Sequence, residues 1–200
     1  MKVILIFDQG LAGAGGKVNP NVGLTAVKGG IGSALMMESH FAKINANVVA
    51  TLYCGNEFFL NNQDEVVTKF TAMVKKLNPD YVVCGPCFNF PDYAKMAAMV
   101  SANILEKTDV KSCAMMSKEN ADTIAQYKDK TPIVIMPKKG GTGLNDSFDA
   151  LCELMQKTVD NAADLEEVKK KAQNNNYRYI ETMALELISD ENPNVKLLFL

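Results

Sequence analysis

The stretch Asp64-Glu-Val-Val-Thr-Lys-Phe-Thr-Ala-Met-Val-Lys-Lys-Leu-Asn-Pro-Asp-Tyr-Val-Val-Cys84, continued by Gly85-Pro-Cys-Phe-Asn-Phe-Pro91, decides the fold. Val66, Val67, Phe70, Met73, Val74 and Leu77 recur at helical spacing on one face, and Pro79 ends the helix before a buried four-residue strand, Tyr81 to Cys84. A glycine turn follows, and Pro91 suits the first turn of a further helix whose Tyr93, Met96, Ala97, Val100 and Ile104 face inwards. Helix, strand, glycine turn and helix in that order form the repeating unit of a parallel sheet.

The unit recurs on both sides. Lys2 to Phe7 reads as a first buried strand, Gly32 to Ile44 as a helix and Asn47 to Tyr53 as a strand. Downstream, Val110 to Met115 is a strand, Ser117 a cap for a short helix reaching Gln126, and Pro132 to Met136 a fifth strand. Asn145 or Asp146 caps a last helix with Phe148, Leu151, Cys152, Met155 and Val159 on its buried stripe. The expectation is an α/β fold: three layers around a doubly wound, mostly parallel five-stranded sheet of flavodoxin-like or Rossmann-like order. Asp8 to Ile31 reads as a long Gly/Asn/Pro loop of functional or mobile character.

The division is into residues 1–160 as the α/β domain and 161–200 as a helical appendix. The appendix is marked by Glu166-Glu-Val-Lys-Lys-Lys171, Gln173-Asn-Asn-Asn176 and an amphipathic piece with Ile180, Met183, Ala184 and Leu187. Its apolar end, Val195 to Leu200, reads as an edge strand, a partner contact or a cut through a longer protein.

Composition narrows the function. A length of 200 residues with 48% hydrophobic and 22% charged residues is globular. A net charge of -2 and a lone arginine, Arg178, argue against nucleic-acid binding. No apolar run spans a bilayer and Asp8 interrupts the N-terminal apolar segment, so the expectation is a cytoplasmic protein, not a membrane one. Five cysteines read as reduced thiols.

Eight of the 13 glycines lie between Gly10 and Gly32, and Gly55, Gly85, Gly140, Gly141 and Gly143 each follow an expected strand. Ligands of open α/β sheets bind outside the carboxyl ends of the strands, where glycine lets backbone approach them. Asp8, Gln9, Cys54, Asn56, Glu57, Cys84, Cys87, Asn89, Glu119, Asn120, Lys138, Lys139 and Thr142 fall on that same rim. Turn formation alone also asks for Gly, Asn and Asp there. Gly13-Ala-Gly-Gly16 does not match a dinucleotide fingerprint and no phosphate loop is present, so no cofactor is called for.

Cys84-Gly-Pro-Cys87 is the sharpest local signal: two thiols facing a helix N-terminus, whose dipole favours thiolate, form a candidate catalytic redox pair. The tetrapeptide resembles that of thioredoxins, although no Trp precedes it. A CxxC disulfide oxidoreductase therefore stays open as an alternative. One CxxC provides too few ligands for a metal site. Cys113 and Cys152 read as core fillers, and His40, the only histidine, as a packed or surface residue.

Three strand-end segments together resemble a known family. Cys54-Gly-Asn-Glu-Phe-Phe-Leu-Asn-Asn62, Gly85-Pro-Cys-Phe-Asn89 followed by Tyr93, and Met116-Ser-Lys-Glu-Asn120 resemble, in type, order and spacing, the N-terminal half of component B of glycine, sarcosine and betaine reductases. The resemblance covers about residues 1 to 160. It implies reductive C–N cleavage of a small amino acid in anaerobic fermentation, with a selenocysteine nucleophile that hands a carboxymethyl group to a selenoprotein A partner. It also implies that Gly55, Asn56, Glu57, Phe59, Asn62, Gly85, Pro86, Phe88, Asn89, Tyr93, Glu119 and Asn120 line or shape a crevice for an amino-acid-like ligand.

The departures are specific. The selenocysteine-bearing half is not in this sequence. The family's GRYG is Pro91-Asp-Tyr-Ala here, losing an arginine suited to a carboxylate, and Cys87 replaces an alanine. The expected partners are reductase-complex subunits or a second copy through the C-terminus. A non-catalytic ligand-binding or scaffolding subunit is the alternative to an enzyme.

Overall fold

A computed structural model describes residues 1–137, 143–172 and 196–198, with side chains through Val159 except at Lys17. Seven strands form one sheet: β1 (Lys2–Asp8), β2 (Thr25–Lys28), β3 (Asn47–Cys54), β4 (Tyr81–Cys84), β5 (Lys111–Ser117), β6 (Ile133–Met136) and β7 (Lys196–Leu198), in the order β2-β3-β1-β4-β5-β6-β7. The expected five strands are the parallel ones, β3-β1-β4-β5-β6, in the flavodoxin-like order. The two edge strands run antiparallel and widen the sheet.

The helices are α1 (Glu38–Lys43), α2 (Asn56–Asn61), α3 (Gln63–Leu77), α4 (Pro91–Lys107), α5 (Ala121–Tyr127) and α6 (Leu144–Ala172). From β1 the chain steps to β3 on one side, and then to β4, β5 and β6 on the other. Right-handed crossovers accordingly put helices on opposite faces. α1 packs with α6, whereas α2, α3 and α5 each pack with α4. Covered on both faces, β1 and β4 carry continuous apolar runs, with Val3 to Phe7 and Tyr81 to Cys84 fully buried.

Several local expectations are corrected. The stretch from Asp8 to Ile31 is not all loop: it contains a 3-10 turn at Gly16–Val18 and edge strand β2, whose residues alternate between half-buried and exposed. Gly32 to Ile44 divides into a 3-10 turn, Gly32–Met36, and the short α1. Ser117 closes β5 and does not cap α5; Asn120 occupies the N-cap position without a side-chain cap bond. Of the readings for the apolar C-terminus, Lys196–Leu198 takes the edge strand, paired to β6. Residues 138–142 and 173–195 lie outside the described residues, including Lys138, Lys139, Thr142 and most of the expected appendix; α6 runs through position 160.

Candidate functional site

The order of the parallel strands reverses direction between β1 and β4, the topological switch point at whose carboxyl end open α/β sheets generally bind ligands. Asp8 and Gln9 end β1, Cys54 to Asn56 end β3, Cys84 to Asn89 end β4, and Ser117 to Asn120 end β5.

Asp8 is the hub. Its carboxylate is 4% exposed; Oδ1 accepts the Leu11 amide at 2.8 Å and Oδ2 accepts Asn56 Nδ2 at 3.1 Å. Gln9 Oε1 accepts the Asn56 amide at 2.9 Å, so β1 holds the first motif with two side chains. Among the described residues no cation lies within ion-pair distance of Asp8.

The first motif needs its glycine for close approach. A Cβ on Gly55 would lie 2.0 Å from the Pro20 carbonyl oxygen, because the Pro20–Val22 segment folds over it; the Gly55 amide donates to Val22 O at 2.7 Å. Asn21 Nδ2 donates to Glu57 Oε2 at 2.7 Å and clamps the same segment from outside. Phe59 is fully buried beneath, and Asn62 Nδ2 donates to Phe58 O at 2.9 Å at the α2–α3 junction.

The second motif turns at Gly85, whose φ of 137° suits only glycine and whose Cβ would lie 2.3 Å from Met115 O. The Gly85–Pro86 peptide is cis, and the Cys87 amide then donates to Met115 O at 2.8 Å, tying the loop to β5. Phe88 is half-buried with φ 39°, Asn89 is exposed, and Tyr93 is fully buried with its hydroxyl donating to Ile6 O at 2.7 Å.

The third motif closes on the second. Asn120, 4% exposed, donates from Nδ2 to Phe88 O at 2.6 Å and to Ser117 O at 3.2 Å. The second and third motifs are thus hydrogen-bonded to each other, while the first is held by Asp8 and Gln9 at the end of β1. Asn56 Oδ1, Glu119 Oε2 and Asn120 Oδ1 are buried there without a hydrogen-bond partner.

The expected residues therefore separate by task. Asn56, Gly85, Pro86, Phe88, Glu119 and Asn120 lie with Gly55 on the loops at the carboxyl ends of the strands. Glu57 and Asn89 face outwards, and Phe59, Asn62 and Tyr93 support them from below. The hub carboxylate of Asp8 carries only one sequence signal, a charged residue directly after an apolar run.

The thiols do not have the expected electrostatics. Cys84 and Cys87 are fully buried, and burial first, then neighbouring Cys113 for Cys84 and Cys84 and Asp8 for Cys87, pushes both well above the ordinary thiol range. A dipole-lowered thiolate is not what this fold builds, because α4 starts only at Pro91 and desolvation outweighs it. Cys54, Cys113 and Cys152 are likewise buried and pushed up to about 12, chiefly by desolvation. All five are free.

His40 is packed as expected. Its Nδ1 lies 2.8 Å from Asp149 Oδ1, its Nε2 3.3 Å from Asn145 Oδ1, and its ring 5.4 Å from that of Phe148. A cavity of about 630 Å³ opens at the other end of the sheet, lined by Lys75, Lys107 and Lys111 alongside Asp80, Glu106 and Asp109. The described acceptors without partners at the rim lie at the opposite end from this mixed-charge cleft. Among the described residues no acidic, Cys or His cluster is placed to hold a metal, and no helix is long and apolar enough to cross a membrane.

Residues 1–187 match the family model for Glycine/sarcosine/betaine reductase selenoprotein B. The chain is 26% identical over 153 residues to the glycine reductase complex component B subunit gamma of Carboxydothermus hydrogenoformans, covering 76% of this chain and 34% of the relative. It is 26% identical over 157 residues to the sarcosine reductase complex component B subunit beta of Peptoclostridium acidaminophilum, covering 78% and 35%. A glycine reductase gamma subunit from that second organism is 30% identical over 129 residues, covering 64% and 29%. The matched region is about a third of the length of these curated relatives, which are subunits of reductase complexes. No solved structure matches the chain. With the family model spanning nearly all of it, the chain belongs to the glycine/sarcosine/betaine reductase selenoprotein B family.

Proposed function

We propose that this chain is the crevice-bearing part of a component-B-type amino-acid reductase. It holds a small amino acid at the β1–β4 switch point while the complex cleaves the C–N bond reductively. The supporting observation is that the three family-like motifs all fall at the carboxyl ends of the parallel strands, the first tied to the end of β1 through Asp8–Asn56 and the third to the second through Asn120–Phe88. Five buried free thiols suit a reducing, cytoplasmic setting. Thermal unfolding with glycine, sarcosine and betaine tests the reading: at least one should raise the midpoint, and Asn56→Ala should abolish the rise. Unchanged midpoints at millimolar concentrations of all three would contradict it.

Within that reading, Cys84 and Cys87 are the candidate redox pair. Passing from dithiol to disulfide, they would release two electrons and two protons. Both being buried, exchange requires the Gly85–Phe90 segment to open first. Timed alkylation with mass spectrometry should therefore label Cys84 and Cys87 ahead of Cys113, which lies inside β5. Equal, slow labelling of all five cysteines would remove the thiol pair and leave the ligand crevice standing.

A second reading, a ligand-binding subunit without its own catalysis, is favoured by the placement of exposed apolar side chains. Of the six large ones among the described residues, Leu60 and Phe90 lie within or next to the family-like motifs, and Val18, Leu35 and Met36 lie in the 3-10 turns between β1 and α1. The occupant that fits is a polypeptide equivalent to the two thirds of the relatives' length not matched here. Light scattering on a mixture with that polypeptide should give a 1:1 complex that Leu35→Lys with Phe90→Lys weakens. A mixture of separate monomers would refute the docking.

A further inference from the structure

The segment that carries Cys87 is held unevenly. Between the end of β4 and the start of α4, residues Gly85 to Phe90 belong to no helix or strand, and Asn89 and Phe90 are exposed. Of the backbone bonds that tie this segment to neighbouring strands, only one is short, from the Cys87 amide to Met115 O at 2.8 Å. Those from the Gly85 amide to Ile6 O and from the Ser117 amide to Phe88 O are long, at 3.3 and 3.4 Å. The closest tie is a side chain: Asn120 Nδ2 donates to Phe88 O at 2.6 Å.

Phe88 is the strained point of the loop. Its φ of 39° lies in the left-handed region, where a bulky side chain is an outlier, and such a conformation persists only where the surroundings impose it. The group that grips its carbonyl is itself firmly mounted. Ser117 O accepts both the Asn120 amide at 3.0 Å and Asn120 Nδ2 at 3.2 Å, and Asn120 O accepts the Ile124 amide at 3.0 Å in the first turn of α5. The Lys118 amide ties the same corner to Met136 O on β6 at 3.1 Å. A rigid β5–α5 corner thus holds a strained loop through one amide group.

We propose that Asn120 is the latch of the thiol loop: release of its Nδ2 from Phe88 O frees Gly85 to Phe90 and admits a reactant to Cys87. This rests on the thiol-pair reading above and adds to it the residue that governs access. Asn120 acts through the loop and is a positioning residue. In the closed loop Cys87 is fully buried, with Sγ 3.8 Å from Tyr93 O. Opening lets Phe88 leave the left-handed region, so relief of strain favours it. The reactivity of a thiol buried in this way follows the population of the open loop.

Two measurements on the full chain, on Asn120→Ala and on Asn120→Asp test the latch. Asn120→Asp keeps the size of the side chain but sets a carboxylate oxygen against Phe88 O and Ser117 O, so a packing role alone leaves it like the parent. Native-state amide exchange at Cys87 reads the loop, and timed alkylation with iodoacetamide followed by mass spectrometry reads the thiol. Both should be about two- to tenfold faster in Asn120→Ala and about tenfold or more faster in Asn120→Asp, with Cys113 and Cys152 unchanged. Parent-like Cys87 rates in both variants, or in Asn120→Asp alone, would overturn the latch. A rise shared equally by Cys113 and Cys152 would overturn it too, because Asn120 would then be holding the whole fold. Faster amide exchange at Cys87 with equally slow alkylation of all five thiols would keep the latch and remove the redox pair. Alkylation of Cys84 and Cys87 ahead of Cys113 in all three proteins, at rates the variants do not change, would remove the latch and keep the pair.

Discussion

Gly85→Ala is expected to unfold the rim from its centre. Gly85 has φ 137°, a region that side chains with a Cβ rarely occupy, and the added carbon would stand 2.3 Å from Met115 O. Backbone strain of this kind costs about 1–3 kcal/mol. The clash adds to it, because Met115 O is also the acceptor of the Cys87 amide and the Gly85 amide itself donates to Ile6 O at 3.3 Å. Loss of one such bond is worth about 0.5–1.5 kcal/mol. A combined destabilisation of about 3 kcal/mol corresponds to a fall in Tm of roughly 6–12 °C for a chain of this size. The control is Gly23→Ala: nothing lies within 4 Å of its added Cβ and its backbone is outside the left-handed region. That variant should be neutral or about 0.4–1 kcal/mol more stable through the unfolded chain. Urea unfolding of the three proteins measures the differences. Gly85→Ala within about 0.5 kcal/mol of the parent, or level with Gly23→Ala, would refute the close-approach reasoning.

Two further outcomes follow from particular contacts. Tyr93→Phe removes a donor from the buried Ile6 carbonyl, which keeps only the longer bond from Gly85, and should cost about 1 kcal/mol in urea unfolding; a neutral result would contradict that bond. The Asp149 carboxyl is held below the ordinary carboxylate range by hydrogen bonds from Lys43 first and then His40. A lowered folded pKa gives stability that is present above the unfolded value of about 4 and is lost as pH falls through the folded one. Urea midpoints between neutral pH and about pH 3 should fall less steeply for Asp149→Asn than for the parent, and identical slopes would show the pair to be inert.

Most of the fold was legible because apolar period and proline placement act locally. Val66 to Leu77 followed by Pro79 admits little but a helix and a stop, and the parallel strands follow from alternation with helices. Edge strand β2 was missed because four residues between glycines carry too little pattern, and its pairing with β3 is fixed by tertiary contact. At the rim, the motif residues stood out by type and position. Their division into liners, clamps and supports did not, because Tyr93 and Phe59 are distinguished from Asn56 only by burial. The thiolate expectation failed for a similar reason: a CxxC in sequence says nothing of the apolar packing that raises both thiols.

The proposed amino-acid-like ligand would sit at the switch point between the carboxyl ends of β1 and β4. The most direct test of that placement is an amide-resolved NMR titration of the full chain with glycine. Shift changes should concentrate at Gln9, Asn56, Gly85 to Asn89 and Glu119 to Asn120. Changes centred on Lys75, Asp80 and Thr108 at the other end of the sheet, or no changes at saturating glycine, would contradict it.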